Sequence, residues 1–594
     1  MTNIITIDIE ADGLLLTATT VWCVVIADSD GQHVFKPFED EDSIQVINDM
    51  FAEADKIVGH NILMYDLPLL NKLYGITYNP NKVMDTLLIS RVQQPDREGG
   101  HSLGAWATRL GTVKLDFTDF SQYSDEMVDY CKQDVNVSVA LRDRFMSEID
   151  LNSTYITLEH RYAYLITLQI LAGFKINVSE AEELHKNLHE EFEEIYDHMV
   201  EVMPPIKDTT HYKSILKRGL LREETATTYT YESRGKLVIK EFRFDKPNPT
   251  SRQQIVDYLK SLGWTPTVFT EKGQAKIDET VLATVKIDGA IRIARMFRLQ
   301  KMMGMIKDGD YGWLKCLNPI TGRVHGDVIT NGANTGRATH SHPNMAQIDK
   351  KDLRMRNVWI TETGWKLVDC DAASLESRVL GHYLAAYDGG LFADIAATGD
   401  LHTYNQGLLG LNKRDSAKGI LYALIYGAGD MKLGKLAMGD MGKSSYKETE
   451  QMKAGRYIRS QIADSLTGYS ELVSDIKKVF NGRGYLNGLD GRPLHPRKEY
   501  SALNLLIQSA GAIIMKQALV NSYLLMHSKG YRIGRDYNYV CNVHDEMVVE
   551  CRSEIAEDVA EQLKESIRKA GLDFNFKCIL DADARIGATW AEIH

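Results

Sequence analysis

The first 145 residues contain short runs of two different periodicities. Apolar and polar residues alternate along Ile4–Glu10, and Val21–Ala27 is a second β-rich run. Apolar residues recur at helical spacing in Ser43–Ala52 and Ser102–Leu110. A period of two residues is typical of strands, and a period near 3.6 residues is typical of amphipathic helices. We therefore predict an α/β domain at the amino-terminal end of the chain.

The pattern changes in the middle of the chain. Residues 158–200 are typical of two helices that are interrupted near Gly173. Thr227–Tyr231 and Leu237–Phe244 then alternate on either side of a Ser-Arg-Gly turn, which predicts a β-hairpin. A helix should begin after the segment Asn248–Ser251, with Ser or Thr as its cap.

A basic helical pattern follows between residues 278 and 307. Its basic residues are spaced so that they share one broad face, and they are Arg292, Arg295, Arg298, Lys301 and Lys307. Two interpretations are open at this point. The face is either an ordinary solvated surface or a surface that lies along phosphate groups.

Composition narrows the class of protein. The chain has 594 residues, of which 44% are hydrophobic and 25% are charged, so collagen-like, disordered and coiled-coil classes are excluded. The length predicts about four domains. The formal net charge of -12 disfavours a polycationic, chromatin-like binder, although it leaves room for one local basic groove.

The sequence also predicts the compartment. No basic region precedes an apolar run at the amino-terminal end, and we find no run of about 18 apolar residues that would span a membrane. The 7 cysteines are scattered and form no CxxC pair. We therefore expect reduced thiols, a cytosolic setting and no zinc site.

Two carboxylates lie close together in the first predicted strand. Asp8 and Glu10 are two residues apart, so they share one face while the neighbouring isoleucines enter a core. Adjacent carboxylates repel each other unless a cation lies between them. A strand with one hydrated face gives the same pattern, so this pair is not diagnostic by itself.

Two further segments add to this pair. Asp66 stands at the start of an apolar helix, where a simple capping aspartate is the alternative. Tyr130 and Asp134 share one helix face, where a tyrosine packed beside a surface acid is the alternative. Together, Asp8, Glu10, Asp66 and Asp134 would hold two Mg²⁺ ions, and Tyr130 would orient the attacking water. One metal would generate hydroxide and the other would stabilise the leaving oxygen.

A second set of polar residues lies in the carboxyl-terminal half. Asp371 ends a predicted strand and is followed by Glu376 and Arg378. Further along, four residues recur at steps of four, and they are Arg414, Lys418, Tyr422 and Tyr426. Such steps form one slanted helical stripe of about 18 Å. Two cations followed by two tyrosines suit a polyphosphate joined to a flat apolar group, and an ordinary amphipathic helix is the alternative.

Acids also occupy a predicted turn near the end of the chain. Tyr539–Val543 and Met547–Glu550 have the pattern of two strands, and His544, Asp545 and Glu546 lie between them. An ordinary surface turn is the alternative, since Asp is common in turns.

These motifs resemble those of two enzyme groups. The order of Asp8, Glu10, Asp66, Tyr130 and Asp134 resembles the DEDDy group of 3′-to-5′ exonucleases over about the first 145 residues. The carboxyl-terminal half resembles the family A DNA polymerases, and most nearly the replicative polymerases of T-seven-type bacteriophages. The segments that carry this resemblance are motif A (Asp371–Arg378), motif B (Arg414–Gly427), motif C (His544–Glu546), Thr335–His340, Pro343–Gln347, Leu489–Arg492, Asn504–Ala512 and the final Trp590 and His594.

The resemblance implies an α/β multidomain fold. An RNase H-like exonuclease domain would span residues 1–150, and a right-hand polymerase domain would span residues 151–594. Within the latter, we expect a thumb at about 175–310, a palm at about 311–382 and 505–594, and fingers at about 383–504.

The resemblance also implies a reaction and its residues. The enzyme would add dNTPs to a primer 3′ end on a DNA template and would proofread its product. Asp371 and Asp545 would hold two Mg²⁺ ions, with Mn²⁺ as an alternative, and Glu546 would lie near them or near the primer end. The residues implied for nucleotide binding are His402, Arg414, Lys418, Tyr422, Tyr426 and Glu376. The residues implied for primer-template binding are Arg337, Asn344, Gln347, Arg492, Asn504, Gln508 and His544.

Some residues of this set carry a specific expectation, and others depart from the family pattern. Glu376 would exclude a 2′-hydroxyl, and a tyrosine at position 422 implies tolerance of dideoxynucleotides. Ala373 replaces the usual serine of motif A. Asp369 competes with Asp371 as the metal ligand, although the spacing to the acid at position 376 favours Asp371.

Partners follow from the same resemblance. The segment 203–247 is far shorter than the insertion by which T-seven-type polymerases recruit host thioredoxin, which argues against thioredoxin dependence. We expect primer-template DNA, dNTPs, a phage helicase-primase and a single-strand-binding protein as partners. The chain should act as a monomer in the cytoplasm of the infected bacterial host, without membrane contact.

Overall fold

The chain divides into two compact units. The computed structural model describes residues 2–208, 228–233, 236–241, 243–348, 352–399, 401–440 and 448–594. One unit combines Met1–Ile176 with Arg323–His594, and the other is Asn177–Gly322. The smaller unit covers most of the segment in which we expected a thumb, together with residues 311–322 of the expected palm. The rest of the expected palm and the expected exonuclease and fingers segments lie in the larger unit.

A mixed five-stranded sheet forms the amino-terminal part of the larger unit. Its strand order is Gln32–Phe35, Val21–Ala27, Ile4–Ala11, Lys56–Gly59 and Val83–Asp85. The first three strands are antiparallel to one another, and the last two continue the sheet in parallel. The helices of this part are Glu41–Glu53, Asp66–Tyr74, Pro80–Lys82 (3-10), Thr86–Gln93, Leu103–Leu110 and Asp125–Glu148. The strands and helices predicted here from periodicity are confirmed.

The first strand shows why the alternating pattern matters. Ile5, Ile7 and Ile9 are buried in the core of this part, as expected. Because side chains alternate along a strand, the acids at positions 8 and 10 project together on its other face. The two predicted helices around Gly173 are also present, as Thr154–Ala172 and Val178–Val202, and the short strand Phe174–Ile176 separates them.

A four-stranded antiparallel sheet carries the second group of acids. Its strand order is Tyr537–Val543, Glu546–Arg552, Trp365–Ala372 and Ala582–Gly587. The helices Ala502–Ser528 and Ala556–Asp573 pack together behind it, and Thr154–Ala172 packs against the first of them. Cys370 and Ala372 enter this core, so Asp369 and Asp371 project from the opposite face of the sheet.

Helices fill most of the chain between the strands of this sheet. They are Leu375–Asp388, Leu391–Thr398, Leu401–Leu409, Arg414–Ile425, Asp430–Asp440, Glu448–Ser465, Tyr469–Arg483 and Glu499–Ser501 (3-10). Small antiparallel pairings complete the larger unit: Phe174–Ile176 with Arg323–Val324 and with Trp359–Ile360, Asp327–Ile329 with Thr339–Ser341, and Leu486–Asn487 with Pro493–Leu494. Its remaining short helices are Met345–Gln347, Arg354–Asn357 and Ser553–Ile555.

One helical segment corrects the expectation that no apolar run reaches membrane length. Among the described residues, Glu499–Ser528 is long and apolar enough by composition to cross a membrane. However, 83% of its most apolar 18-residue stretch is buried inside the protein. Scattered polar residues such as Asn504 and Lys516 hide the length of this segment in the sequence, and its burial identifies a core helix.

The smaller unit contains helices and short strands. They are Val178–Val202, Ile206–Asp208, Thr228–Ser233, Lys236–Glu241, Arg243–Asp245, Arg252–Ser261, Glu279–Leu282, Asp288–Met303, the π-type turn Gly304–Asp308 and Leu317–Asn318. Thr228–Ser233 pairs with Lys236–Glu241 in antiparallel fashion, as the hairpin prediction requires. Residues 227, 234, 235 and 242 of that prediction lie outside the described residues.

Two local predictions in the smaller unit can be compared with contacts. Ser251 precedes the helix Arg252–Ser261 but makes no capping hydrogen bond with its side chain. On the basic helix, Arg292 pairs with Asp288 at 2.7 Å and Arg295 pairs with Glu191 at 2.6 Å. These two cations are therefore already balanced within the unit, which favours the solvated-face interpretation for them.

Candidate active sites

The first carboxylate group lies on the central strand of the amino-terminal sheet. Asp8 and Glu10 project from the same face, and their carboxylates lie within 4.8 Å of each other and of the thiol of Cys131. Asp8 is half-buried and Glu10 is 8% exposed. The Cys131 thiol also donates to the backbone oxygen of Asp8 at 3.4 Å. The strand periodicity therefore brings these two acids into one small buried space.

Asp66 stands at the first position of its helix and is 4% exposed. The loop that precedes it is held by Asp85, whose carboxylate accepts a hydrogen bond from the backbone N–H of Asn61 at 3.0 Å. Asn61 has φ of 71°, a left-handed conformation that asparagine adopts more readily than most residues. The backbone N–H of Asp85 donates to Nε2 of His160 at 2.8 Å. No local pattern in the sequence reveals this support, because Asp85 and His160 are distant from Asp66 in the chain.

Tyr130 and Asp134 lie on one face of the helix Asp125–Glu148, as their spacing predicts. A residue missed in the sequence, Lys114, joins them: its Nζ donates to the Tyr130 hydroxyl at 2.9 Å and forms an ion pair with Asp134. The Tyr130 ring also packs near the ring of Phe117, with centroids 5.8 Å apart. A single lysine in an irregular segment gives no sequence signal of its own.

Burial and mutual repulsion raise the pKa values of these acids. The pKa of Asp8 lies well above its usual value because of burial and then because of the charges of Asp66, Glu10 and Asp134. Burial is also the main cause that raises the pKa of Glu10 to about 9 and that of Asp66 to about 8. A buried group of acids either holds protons or binds cations. Its carboxylate oxygens fit Mg²⁺, a hard cation that prefers oxygen ligands.

Strand pairing brings Asp371 and Asp545 together from distant parts of the sequence. Asp371 is paired with Glu546 across the two antiparallel strands, and the backbone N–H of Ala372 donates to the backbone oxygen of Asp545 at 3.0 Å. Both aspartates are partly exposed. Asp545 directly precedes Glu546, so these two contacts place it beside the end of the strand that carries Asp371. This pair therefore has the placement and the chemistry needed to hold divalent cations.

Glu546 lies inside the protein beside this pair and is 1% exposed. Its Oε1 accepts a hydrogen bond from Nε1 of Trp590 at 3.0 Å and lies 3.4 Å from Nη1 of Arg356. The glutamate is thus anchored by the final segment of the chain. Because its carboxylate is already bound in the interior, Glu546 is better placed to support the metal ligands from behind than to contact a primer end.

Asp369 is the alternative metal ligand that the sequence left open. It is 4% exposed, and its ligand atoms lie within 4.8 Å of those of Glu546 and His594. Asp371 is more exposed and stands beside Asp545. The geometry therefore favours Asp371 as the ligand that faces a substrate, as the spacing of motif A suggested.

The expected nucleotide stripe is present on one helix. Arg414 and Lys418 are exposed on the helix Arg414–Ile425, Tyr422 is half-buried, and Tyr426 follows as the cap residue. The rings of the two tyrosines lie nearly parallel, with centroids 6.4 Å apart. Burial and then the charge of Glu376 raise the pKa of Tyr422, and Asp545 and Asp371 contribute further. The tyrosine end of the stripe therefore lies near enough to these acids to sense their charge.

Glu376 connects the stripe to a residue expected to contact DNA. The Tyr426 hydroxyl donates to Oε1 of Glu376 at 2.7 Å, and Nη2 of Arg337 lies 3.3 Å from the same oxygen. His402 belongs to the helix Leu401–Leu409, but its side chain lies outside the described residues. The structure therefore brings the expected nucleotide-site residues whose side chains it describes to one region.

The residues expected to contact DNA fall into separate groups. Arg337 and His544 line one small cavity of about 40 Å³. Asn504 and Gln508 lie one turn apart on the core helix and line another cavity of about 280 Å³. Gln347 is exposed.

Asn344 and Arg492 have roles within the protein. Oδ1 of Asn344 caps a short helix by accepting from the backbone N–H of Ala346 at 3.1 Å. Arg492 is 2% exposed, and its guanidinium pairs with Asp490 and with Glu159, each at 2.6 Å. A guanidinium buried between two carboxylates does not face a DNA surface. The expectation that Arg492 contacts DNA is therefore corrected: the side chain belongs to a buried ion cluster.

Two family models match different parts of the chain. The family model described as DNA polymerase family A matches residues 231–592. The family model described as 3′-5′ exonuclease matches residues 2–150. The first match includes the acids at positions 371 and 545, and the second includes those at positions 8, 10, 66 and 134.

Individual proteins are similar to this chain over nearly its full length. The DNA-directed DNA polymerases of Enterobacteria phage T3 and Escherichia phage T7 are 32% and 31% identical, each over 99% of this chain and 99% of the relative. DNA polymerase I of Aquifex aeolicus is 25% identical over 97% of this chain and 94% of its own.

A solved structure gives the fold independently. The POL domain of Pol1 from M. smegmatis, in complex with DNA primer-template and dNTP, superposes with a TM-score of 0.75. The match covers 100% of this chain and 96% of that one, at 16% identity, so it supports the fold alone. Together with a family match over more than half of the chain and full-length relatives above 30% identity, these findings show that the chain belongs to DNA polymerase family A and is a DNA-directed DNA polymerase with a 3′-5′ exonuclease domain.

Proposed function

We propose that this polymerase replicates a phage genome and proofreads the product. In this proposal it extends a primer 3′ end with dNTPs on a DNA template, and its exonuclease domain removes misincorporated nucleotides. The observation that carries the polymerase site is the strand pairing that sets Asp371 beside Asp545. Full-length similarity to two phage polymerases supports the phage role. The place of action would be the cytoplasm of the infected bacterial host.

Asp371 and Asp545 would hold two Mg²⁺ ions, with Mn²⁺ as an alternative. When bound, such ions lower the pKa of the primer 3′-hydroxyl and offset the charge of the departing pyrophosphate. Arg414 and Lys418 are exposed on one helix face, so they would neutralise the triphosphate together with His402. Glu546, anchored in the interior, would support the position of the neighbouring Asp545.

Selection of the sugar would rest on the contact between Tyr426 and Glu376. The 2.7 Å hydrogen bond holds the glutamate against the tyrosine, where it would leave no room for a 2′-hydroxyl. Tyr422 lies next in the stripe and carries a hydroxyl that would make dideoxynucleotides acceptable substrates. Arg337, held at 3.3 Å from Glu376, would connect this selection to the primer-template.

In the exonuclease domain, Asp8, Glu10, Asp66 and Asp134 would hold a second pair of Mg²⁺ ions. Tyr130 would orient the attacking water, since its hydroxyl already lies in a fixed hydrogen bond at 2.9 Å. The raised pKa values of the acids support this assignment, because a repulsive buried group of carboxylates is typical of a cation site.

The remaining assignments are also proposals. Residues 1–150 would form the exonuclease domain and 151–594 the polymerase domain, with a thumb at about 175–310, a palm at about 311–382 and 505–594, and fingers at about 383–504. Primer-template DNA would contact Arg337, Asn344, Gln347, Asn504, Gln508 and His544. A helicase-primase and a single-strand-binding protein would be partners of an otherwise monomeric enzyme.

Dependence on thioredoxin is not part of the proposal. The alignments with the two phage relatives extend over 702 positions, more than the 594 residues of this chain, so those relatives contain segments that this chain lacks. Adding thioredoxin to a primer-extension reaction should therefore leave the product length unchanged. Longer products with thioredoxin would contradict this expectation.

The two active sites can be tested separately. Asp371→Asn or Asp545→Asn should abolish nucleotide addition and leave degradation of the primer unchanged. Asp8→Ala combined with Glu10→Ala should do the reverse. One primer-extension gel with dNTPs, with NTPs and without nucleotide measures both activities and the sugar preference. Survival of polymerisation in either single variant would show that the assignment of that aspartate is wrong.

A further inference from the structure

Lys114 contacts two proposed exonuclease residues at once. Its Nζ donates to the Tyr130 hydroxyl at 2.9 Å, lies 4.5 Å from the centre of the same ring, and forms an ion pair with Oδ2 of Asp134. The lysine side chain is 25% exposed and that of Asp134 is 7% exposed. This contact is therefore mostly shielded from solvent, unlike an ordinary surface ion pair.

Residues other than the metal-binding acids hold Lys114 in its position. The backbone oxygen next to it, on Val113, accepts a hydrogen bond from Nε2 of Gln133. The aliphatic part of the Lys114 side chain packs against Gly104 of the helix Leu103–Leu110. A Cβ added to Gly104 would lie 3.4 Å from Cδ of Lys114. The same irregular segment is anchored again at Phe120, whose backbone oxygen accepts from Nε1 of Trp22 at 2.9 Å. Lys114 is therefore held in place by the fold.

The position of the charge matters for the neighbouring acids. The ammonium of Lys114 favours the ionised forms of Asp8, Glu10 and Asp134, which burial and mutual repulsion oppose. It engages only one oxygen of Asp134, and the other oxygen, Oδ1, is buried without a hydrogen-bond partner among the described residues. One oxygen is thus committed to the lysine, and one remains available to a cation.

We propose that Lys114 is a positioning residue of the exonuclease and a resident cation that limits the affinity of the site for a second divalent metal ion. It holds the Tyr130 hydroxyl and one oxygen of Asp134 in a fixed relation. It also repels a metal ion that binds the other oxygen. The inference rests on the proposed exonuclease function. Its consequence is that loss of the lysine strengthens metal binding and weakens catalysis, two effects of opposite sign.

The test uses the full chain with Asp371→Asn and Asp545→Asn, which remove the polymerase metal ligands from the titration. Lys114→Met removes the charge and keeps the length of the side chain, and Lys114→Arg keeps the charge. Lys132→Met is the matched control, because Lys132 lies on the neighbouring helix surface, where it pairs with Asp129 at 3.5 Å and is 40% exposed. Mn²⁺ binding is followed by electron paramagnetic resonance of the free ion, and kcat and KM are measured on a single-stranded oligonucleotide at saturating Mn²⁺.

In Lys114→Met, the more weakly bound of the two Mn²⁺ ions should bind about tenfold more tightly, because the substitution removes a positive charge a few ångströms from the ion. Its kcat should fall about tenfold or more while KM changes little, since the water-orienting hydroxyl loses its partner. Lys114→Arg should restore most of kcat, and Lys132→Met should behave as the parent. Polymerase activity of Lys114→Met with an intact palm verifies folding.

The outcomes separate the inference from the function on which it rests. Absence of degradation in the chain with no exonuclease change would refute the proposed exonuclease, while the Mn²⁺ titration would still test the lysine. Unchanged or weaker Mn²⁺ binding in Lys114→Met would overturn the inference. A loss of kcat that Lys114→Arg does not recover would overturn it as well.

Discussion

A buried ion cluster is centred on Glu159 of the helix Thr154–Ala172. Glu159 is fully buried, and Nζ of Lys516 lies 2.7 and 2.9 Å from its two carboxylate oxygens. Nη1 of Arg492 lies 2.6 Å from the same carboxylate, and Nδ2 of Asn331 donates to it at 2.7 Å. Burial opposes ionisation of Glu159, but Lys516 and Arg492 outweigh burial, so the pKa of the glutamate is lowered. Asp490 also pairs with Arg492 at 2.6 Å, so two buried carboxylates balance two buried cations, and Glu159 is the one that contacts both.

Glu159→Ala should be strongly destabilising. The change removes a negative charge that offsets the buried positive charges of Lys516 and Arg492. Breaking a buried ion pair in this way costs about 3–5 kcal/mol. The unsatisfied amide of Asn331 adds roughly 1–3 kcal/mol, although the two effects are not additive. Glu159→Gln keeps an acceptor and the shape, so its cost should be about 1.5–3 kcal/mol, the value of hydrogen bonds to a charged group.

The assay should measure local stability, because a multidomain chain need not unfold in one step. Native-state hydrogen exchange of the helix Thr154–Ala172 reports the free energy of opening around the cluster. Glu148→Ala is the control: Glu148 is 53% exposed and pairs with Arg144 at the surface, so its loss should cost less than about 1 kcal/mol. If Glu159→Ala lowered the opening free energy by no more than the control, the cluster would not hold these elements together.

Three further predictions concern pH and substrate choice. Burial, and then the charge of Lys577, lowers the pKa of His382 to about 4, and its Nδ1 accepts from the backbone N–H of Lys577 at 2.9 Å. Since the unfolded histidine titrates near pH 6.5, its contribution to stability is complete above that pH and is lost as the pH falls toward about 4. His382→Gln should therefore show a smaller decrease in melting temperature between about pH 7 and pH 5 than the parent, and an equal decrease would contradict the assignment. Tyr426→Phe removes the 2.7 Å hydrogen bond to Glu376, so dNTP-over-NTP discrimination should fall by about tenfold or more in single-nucleotide incorporation; unchanged discrimination would refute the role of this contact. Tyr422→Phe should reduce ddNTP incorporation relative to dNTP by about tenfold, since one hydroxyl that can replace the missing 3′-hydroxyl is lost, and the same ratio in both enzymes would rule out that role.

Local periodicity was sufficient to define the elements that carry the sites. The two-residue period of Ile4–Glu10 puts two acids on one strand face, and the four-residue period from Arg414 to Tyr426 puts the stripe on one side of a helix. Both follow from backbone geometry alone, because side-chain direction repeats with the element. The order of the acids along the chain was also enough to indicate the family, which the comparisons confirm.

Tertiary structure decided which side chains meet. Nothing near Arg492 in the sequence shows that its guanidinium is buried against Glu159, and Lys114 has no pattern that connects it to Tyr130. The choice between Asp369 and Asp371 likewise depended on Asp545, which reaches them only through strand pairing. The sequence by itself thus determined faces and families, because these depend on local geometry and on residue order. Burial, partners and charge balance required the fold, because they depend on residues that are remote in the chain and adjacent only in space.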